Sequence, residues 1–467
     1  VQQRVVVVGA GIAGLVAAHD LTRAGRSVLV LEATDVVGGK LRRAEVAGIT
    51  VDVGAEAMVH RRPEGVELAG SLGLDLVHPT AATSRVWTRG ALRPLPRTLM
   101  GAPLDLAQLA AGGILGADGL QRARQEPELP ATDIGANDIS VGDLVDVRYG
   151  AEVTDRLVEP LLGGVYAGHA RAISVRAAVP QLLTLAEHGS ITVQAGAAPP
   201  ASATGPVFAG VPGGMWQLPA ALRAALESGG SAAVRTGVRV TGLRRTEGGF
   251  EVTATDATGH AWREDAGAVV VATPAPAASR LLVDLAPEAS AMLAQVEYAS
   301  PVVVTFAFRA ADPGVRAALD VGASGLLVPP VDRRRIKAAT FSFAKWDWVR
   351  AAGAAGDEEL LVLRTSLGRS GDAAALQVPD EELVAAAIAD LELATGLRAT
   401  PVDHRVQRWG GGLPQYAVGH LDLVAAIRRE IERVPGLAVG GAAYDGVGIP
   451  ACIGSGHRAA ERVLAAR

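Results

Sequence analysis

Cysteine is all but missing from the 467 residues, with Cys452 standing alone. An intrachain disulfide is therefore impossible, and so is a cysteine-ligated zinc or iron–sulfur centre; the expected setting is a reducing cytoplasm. Aromatic residues make up only 4% of the chain, few for the aromatic cage that a cationic amine favours. Charged residues reach 20% against 49% hydrophobic, which excludes a disordered tail and favours a packed interior able to hold a ligand. Lysine is the scarcest basic residue. Of 44, only Lys40, Lys337 and Lys345 are lysine and the other 41 are arginine, so an isolated arginine carries little information.

A net charge of −5 argues against sequence-independent binding of nucleic acid, which needs a basic surface, and leaves small molecules as the expected partners. The apolar run Val5 to Val8 is too short for the core of an export leader and runs straight into glycines. The longest uncharged stretch, His188 to Leu222, is broken by Gly196, Pro199, Pro200, Gly205, Pro206, Pro212, Gly213 and Gly214, which predicts a loop rather than a membrane crossing. No H-E-x-x-H, G-x-S-x-G or P-loop string occurs and the nine histidines are dispersed, so hydrolytic and metal-dependent chemistry is disfavoured and no metal is expected. His60, His169, His404 and His420 read as surface or satisfied core groups, Cys452 as a small buried hydrophobe, and Trp346 and Trp348 as core aromatics on a strand.

At about 150 residues per domain the length predicts two to three domains. Val5 to Val8 reads as a strand, Gly9-Ala10-Gly11-Ile12-Ala13-Gly14 as a tight turn, and Leu15 to Ala24 as a helix stopped by Gly25, with a second strand at Ser27 to Leu31. In that context G-x-G-x-x-G is a dinucleotide fingerprint. Gly9 permits the turn, Gly11 lets the backbone approach a pyrophosphate, Gly14 lets helix and sheet close up, and the amide-rich helix start favours phosphate. Glu32, at the tip of the second strand, would accept ribose hydroxyls and repel a 2′-phosphate, which disfavours NADP. Gly38-Gly39-Lys40 adds a second turn near the nucleotide, pointing to an extended cofactor. Gly446-Val447-Gly448-Ile449, with a helix expected from near Ser455, would offer amides and a positive helix end to a reduced flavin. Further strands are expected at Val234 to Val240, Phe250 to Thr255, Ala268 to Thr273, Val302 to Phe308, Leu360 to Thr365 and Leu437 to Gly440. Helices are expected at Asp380 to Thr395 and His457 to Arg467, and a separate helical region from about Arg85 to Ser202.

Beyond these strings, Asp52-Val53-Gly54-Ala55-Glu56 with Arg61-Arg62-Pro63-Glu64, Leu413-Pro414-Gln415-Tyr416 before Gly419-His420, and Tyr444-Asp445-Gly446-Val447-Gly448-Ile449-Pro450 resemble the FAD-dependent porphyrinogen oxidases. The nearest branch is the soluble bacterial coproporphyrinogen III oxidases that form coproporphyrin. The resemblance runs from Val5 to the last helix; its nucleotide half is shared with amine oxidases and carotenoid desaturases, and the Pro-Gln-Tyr and Tyr-Asp-Gly-Val-Gly-Ile-Pro segments are its more specific part. It implies an α/β chain, α+β overall: a Rossmann-like FAD-binding domain built from both chain ends (residues 1–84, 205–275 and 405–467), a mixed-sheet substrate domain (276–404) and an inserted helical, membrane-type domain (85–204). Cofactor contacts would fall to Gly9, Ala10, Gly11, Ile12, Ala13, Gly14, Glu32, Ala33, Gly39, Lys40, Val53, Gly54, Ala55 and Glu56. Val238 would meet adenine through its backbone, Trp409 would lie near the cofactor, and Val447, Gly448 and Ile449 would touch the ring system. Arg61, Arg62, Lys345 and Tyr416 would meet substrate, the basic groups through propionates. Also implied are a porphyrinogen substrate, dioxygen as acceptor, at most peripheral membrane contact and a possible ferrochelatase partner. No catalytic side chain is assigned, because ring aromatisation supplies the driving force and the protein has chiefly to position a meso carbon.

Overall fold

A computed structural model describes residues 4–197 and 205–466. Val5–Val8 lies at the centre of a five-stranded parallel sheet, flanked by Val28–Leu31 and then Ala232–Arg235 on one side, and by Ala268–Val271 and then Leu437–Val439 on the other. Strand order reverses beside Val5–Val8, the switch point at which doubly wound sheets bind nucleotides. All four residues are buried in each of the three inner strands, because helices and a second sheet cover the two faces. Val5, Val7, Val28 and Val30 meet the helices Ile12–Arg23, Gln217–Ser228 and Ile449–Ala465. Val6, Val8, Leu29 and Leu31 share a core with Phe250 and Val252 of a three-stranded antiparallel sheet, and with Leu282 and Ile427 of the helices Ala275–Leu282 and His420–Glu432.

A seven-stranded sheet forms the second layer, in the order Asp403–Arg408, Val302–Arg309, Leu360–Leu367, Ile336–Thr340, Ala323–Leu327, Thr83–Thr88 and Ala91–Pro94. Its pairings are antiparallel except that between Ala323–Leu327 and Thr83–Thr88. The helices between Leu106 and Ala197 have their own core around Leu144, Tyr149, Leu157 and Leu182. Among the described residues no helix is long and apolar enough to cross a membrane.

Several expectations need correction. The closing helix begins at Ile449, not near Ser455, so Gly454, Ser455 and Gly456 lie inside it, buried. Val234 to Val240 is two strands, parted where Gly237 takes a φ of +68° and turns the chain from one sheet into another. Trp346 is not on a strand; its amide bonds to the Ser342 carbonyl at 3.0 Å, closing a turn between the short helices Ser342–Lys345 and Asp347–Gly353. Thr83–Thr88 and Ala91–Pro94, assigned from sequence largely to the helical region, are strands of the seven-stranded sheet. The stretch His188 to Leu222 is not all loop, since it includes the helix Ile191–Ala197 and the start of Gln217–Ser228; Pro199 and Pro200 lie outside the described residues.

The closing helix lies so close to the opening one that a Cβ on Gly456 would collide with the Ala13 carbonyl oxygen. Gly456→Ala is expected to cost about 1–3 kcal/mol through overpacking, measured as a lowered urea midpoint at unchanged slope.

Candidate cofactor and substrate site

Gly9 has a φ of +100°, and a Cβ there would lie 2.7 Å from the Ala272 carbonyl oxygen; a Cβ on Gly14 would collide with the Gly9 carbonyl. Gly11 has open space where its Cβ would be. It caps the opening helix without any side-chain capping bond, and the first turn carries no acidic residue. The first intrahelical bond runs from the Leu15 amide to the Gly11 carbonyl, so the amides of Ile12, Ala13 and Gly14 are free to meet an anion over that opening. Gly38 lies alongside, its amide donating to the Ala10 carbonyl at 2.8 Å. Burial pushes Lys40 below its ordinary range.

Glu32 is fixed at the rim of this turn. Its Oε2 accepts the Ala10 amide, and its Oε1 accepts the Thr34 amide and hydroxyl, all at 2.8 Å. A carboxylate has about four acceptor sites, so one is left for a ribose hydroxyl. Ala33 is exposed beside it. Val238, expected to meet adenine through its backbone, adjoins Glu32 and donates its amide to the Glu32 carbonyl at 2.8 Å, which leaves its carbonyl as the backbone group for such a contact.

A second amide-rich end lies at the closing helix, where Gly448 is the cap, again without a side-chain capping bond, and Val447 and Ile449 flank it. The contact with Ala13 is made at Gly456, eight residues past the Gly448 cap, so the open Gly448 end is offset by about 12 Å along the closing helix from the point where it meets the opening helix. That offset suits a ligand with a phosphate at one end and an electron-accepting ring at the other, and the residues present fit an FAD.

Between these ends runs Val53 to Glu56. The Val53 carbonyl accepts Trp409 Nε1 at 3.2 Å, the Gly54 carbonyl accepts an Arg364 Nη1 bond at 2.6 Å, and the Ala55 amide donates to the Lys40 carbonyl at 3.1 Å. Glu56 is held by Lys345 Nζ at 2.6 Å and Arg364 Nε at 3.2 Å. Burial alone would raise its pKa, but the Arg364 and Lys345 charges outweigh that and hold it at about 2. Burial raises neighbouring Asp52 to about 7 against the amide bonds from Met215 and Trp216.

The structure therefore brings together the glycine turn, Glu32, Lys40, Val53 to Glu56, Trp409 and Val447 to Ile449. Lys345, expected to meet a propionate, instead neutralises Glu56. Arg61 and Arg62 are exposed, and Arg62 pairs with Glu64 at 2.5 Å. Tyr416 is buried, donates its hydroxyl to the Ala442 carbonyl at 2.6 Å, and stacks on His420 at 4.0 Å and near Tyr166 at 5.6 Å, so it can offer a ligand only its ring. His420 departs from the surface-or-satisfied reading: it is buried, its Nε2 has no partner among the described residues, and burial drives its pKa to about 4, leaving it neutral. Arg364 was missed because one arginine among 41 gives no signal. Among the described residues no cluster of His, Cys, Asp and Glu is placed to hold a metal.

The family described as flavin containing amine oxidoreductase matches residues 12–464. A coproporphyrinogen III oxidase of Mycobacterium tuberculosis is 38% identical, over 98% of this chain and 97% of its own length. That of Bacillus subtilis is 27% identical over 99% and 98%. A crystal structure described as a putative protoporphyrinogen oxidase from Exiguobacterium superposes with a TM-score of 0.86 at 29% identity, covering 99% of each chain.

Glu32→Ala is expected to weaken FAD retention about tenfold, and Arg62→Ala far less, when the dissociation constant is measured after reconstitution; the reverse order would refute ribose recognition by Glu32. Because Glu56 titrates lower folded, near 2, than unfolded, near 4.5, its contribution is fully present above pH 4.5 and is lost as pH falls toward 2. Glu56→Gln should therefore flatten the acid limb of the stability curve, by on the order of 2 kcal/mol between pH 6 and pH 3, measured by denaturant unfolding at those two values.

Proposed function

As the chain belongs to the flavin containing amine oxidoreductase family, we propose that it is an FAD-dependent oxidase that converts coproporphyrinogen III to coproporphyrin III, with dioxygen as acceptor, in haem synthesis. The observation that carries the substrate class is the 38% identity, over 98% of the chain, to the mycobacterial enzyme named for that reaction.

Bound FAD supplies acceptance of two electrons per turn, three turns for the six electrons of the macrocycle, with dioxygen taking them away as hydrogen peroxide. The protein's part is placement. The amides of Ile12, Ala13 and Gly14 and Lys40 would hold the pyrophosphate, and Glu32 would take the ribose. Arg364 and Trp409 fix Val53 to Glu56, which would line the flavin, while the Gly448 end of the closing helix would favour the negative charge that a flavin gains on reduction. Tyr166, Tyr416 and neutral His420 form an aromatic wall that excludes water without offering a charge. Glu56 stays ionised and paired, so it holds its neighbours rather than moving protons.

In this reading residues 1–84, 205–275 and 405–467 bind FAD and 276–404 bind substrate, joined by the strands Thr83–Thr88 and Ala91–Pro94. The helical region within 85–204 meets membranes at most at their surface. The expected location is the cytoplasm, and a ferrochelatase is the natural recipient of the product. Protoporphyrinogen IX is the near alternative, favoured by the name of the Exiguobacterium structure.

Anaerobic mixing distinguishes these. The purified protein should be yellow, and coproporphyrinogen III should bleach its visible spectrum faster than protoporphyrinogen IX does. Bleaching by putrescine and by neither porphyrinogen, or a colourless protein that FAD cannot reconstitute, would overturn the assignment.

A further inference from the structure

Two interior cations have no anion at contact distance. Lys337 is 3% exposed, and among the described residues its ammonium makes neither hydrogen bond nor ion pair. Arg369, 7% exposed, donates Nη2 to the Val328 carbonyl at 2.8 Å, while its Nε has no partner. Val328 also pairs with Lys337 through the backbone, its amide donating to the Lys337 carbonyl at 2.9 Å, and the Arg369 charge is near enough to act on the Lys337 ammonium. Lys337 sits there because the strand register slips between Ile336 and Ala338, leaving it as the extra residue of a bulge.

Among the described residues the neighbouring carboxylates, Asp372 and Glu159, form no ion pair with either cation. Asp372 is exposed and accepts the Arg369 backbone amide at 2.9 Å. Glu159 accepts the Ala170 amide at 2.9 Å through Oε1, and its Oε2 stands 3.6 Å from His169 Nδ1. A buried cation without a partner costs several kcal/mol, and an arginine cannot shed its proton. Burial, with Arg369 close by, pushes Lys337 down to about 7. In a chain with three lysines, one kept at this cost calls for an explanation that surface solubility does not give.

The opposite wall is the helix Glu159–Tyr166, and it presents glycines. A Cβ on Gly163 would lie 4.0 Å from Arg369 Nε, and one on Gly164 would lie 4.0 Å from Leu327. The helix is entered through a wide i to i+5 turn at Thr154–Val158, a distortion common near functional sites. Arg369 follows Arg364 by five residues, at most about 16 Å of extended chain. It is thus within reach of a carboxylate arm on a macrocycle whose reacting edge faces the turn held by Arg364.

We propose that Lys337 and Arg369 form a carboxylate-binding subsite between the helical region and the seven-stranded sheet, taking a propionate-type arm of the substrate remote from the reacting carbon. The arm's negative charge supplies the missing counter-ion, and the guanidinium fork can bond both its oxygens. This rests on the porphyrinogen reading above.

Lys337→Met, close to isosteric, tests it. The variant should melt higher than the parent, because an unpaired interior charge is gone, yet bind coproporphyrin about tenfold more weakly in a fluorescence titration of the FAD-loaded protein. The loss should be smaller for protoporphyrin, with two carboxylates in place of four. Arg369→Lys, which keeps the charge but not the fork, should show an intermediate loss. Unchanged coproporphyrin affinity in the stabilised variant, or equal losses for both porphyrins, overturns the subsite. So does protection of the parent against heating by inorganic phosphate that Lys337→Met abolishes without any effect on porphyrin binding, since the pair would then hold a free anion. The titration needs no turnover: weakened porphyrin binding in a protein whose flavin no porphyrinogen bleaches would sink the oxidase reading and leave the subsite standing.

Discussion

The close approach of two helices through glycine is the constraint on which the rest depends. Gly14 lets the opening helix settle against the Gly9 carbonyl, and Gly456 lets the closing helix settle against the Ala13 carbonyl. Neither helix carries a capping side chain at its start. Each end is left with amides that no group among the described residues satisfies, and the helices are held by backbone contact rather than by adjustable side chains. Such an arrangement is costly without a ligand and well prepared for one.

The seven-stranded sheet reaches this cradle through carbonyl groups. Arg364 of this sheet and Trp409, just past its edge strand, hold the Gly54 and Val53 oxygens, and Glu56 balances Arg364 and Lys345. A single arginine fork thereby ties the seven-stranded sheet to the Gly54 to Glu56 segment, at the place where cofactor and substrate would meet. Removing Glu56 would leave two cations to repel one another, which explains why a carboxylate persists in so enclosed a position.

The nucleotide half was legible because its chemistry is local. A β-branched run, three glycines at fixed spacing and an acidic residue at the next strand end all act within one βαβ unit. Asp380–Thr395, with Gly396 behind it at a φ of +78°, was legible for the same reason. What escaped was non-local. Nothing near Arg364 announces that its side chain spans to Gly54, and nothing near Val238 reveals that Glu32 has claimed its amide. The helix start at Ile449 was hidden because Gly454 and Gly456 read as loop, although in place they are small residues that a neighbouring helix requires. Lysine scarcity was the one compositional signal that crossed this gap: Lys40, Lys337 and Lys345 are each drawn away from open solvent.

The Ala13–Gly456 contact also bears on biogenesis. The two halves of the cofactor cradle are far apart in sequence, so the half at Gly9 to Gly14 is synthesised long before the half at Gly448, and Val5–Val8 likewise precedes its neighbour Ala268–Val271 by a long stretch of chain. Until that neighbour is made one edge of Val5–Val8 is unsatisfied, a state prone to mispairing. A flavin can be gripped from both sides only after the later segment has been made.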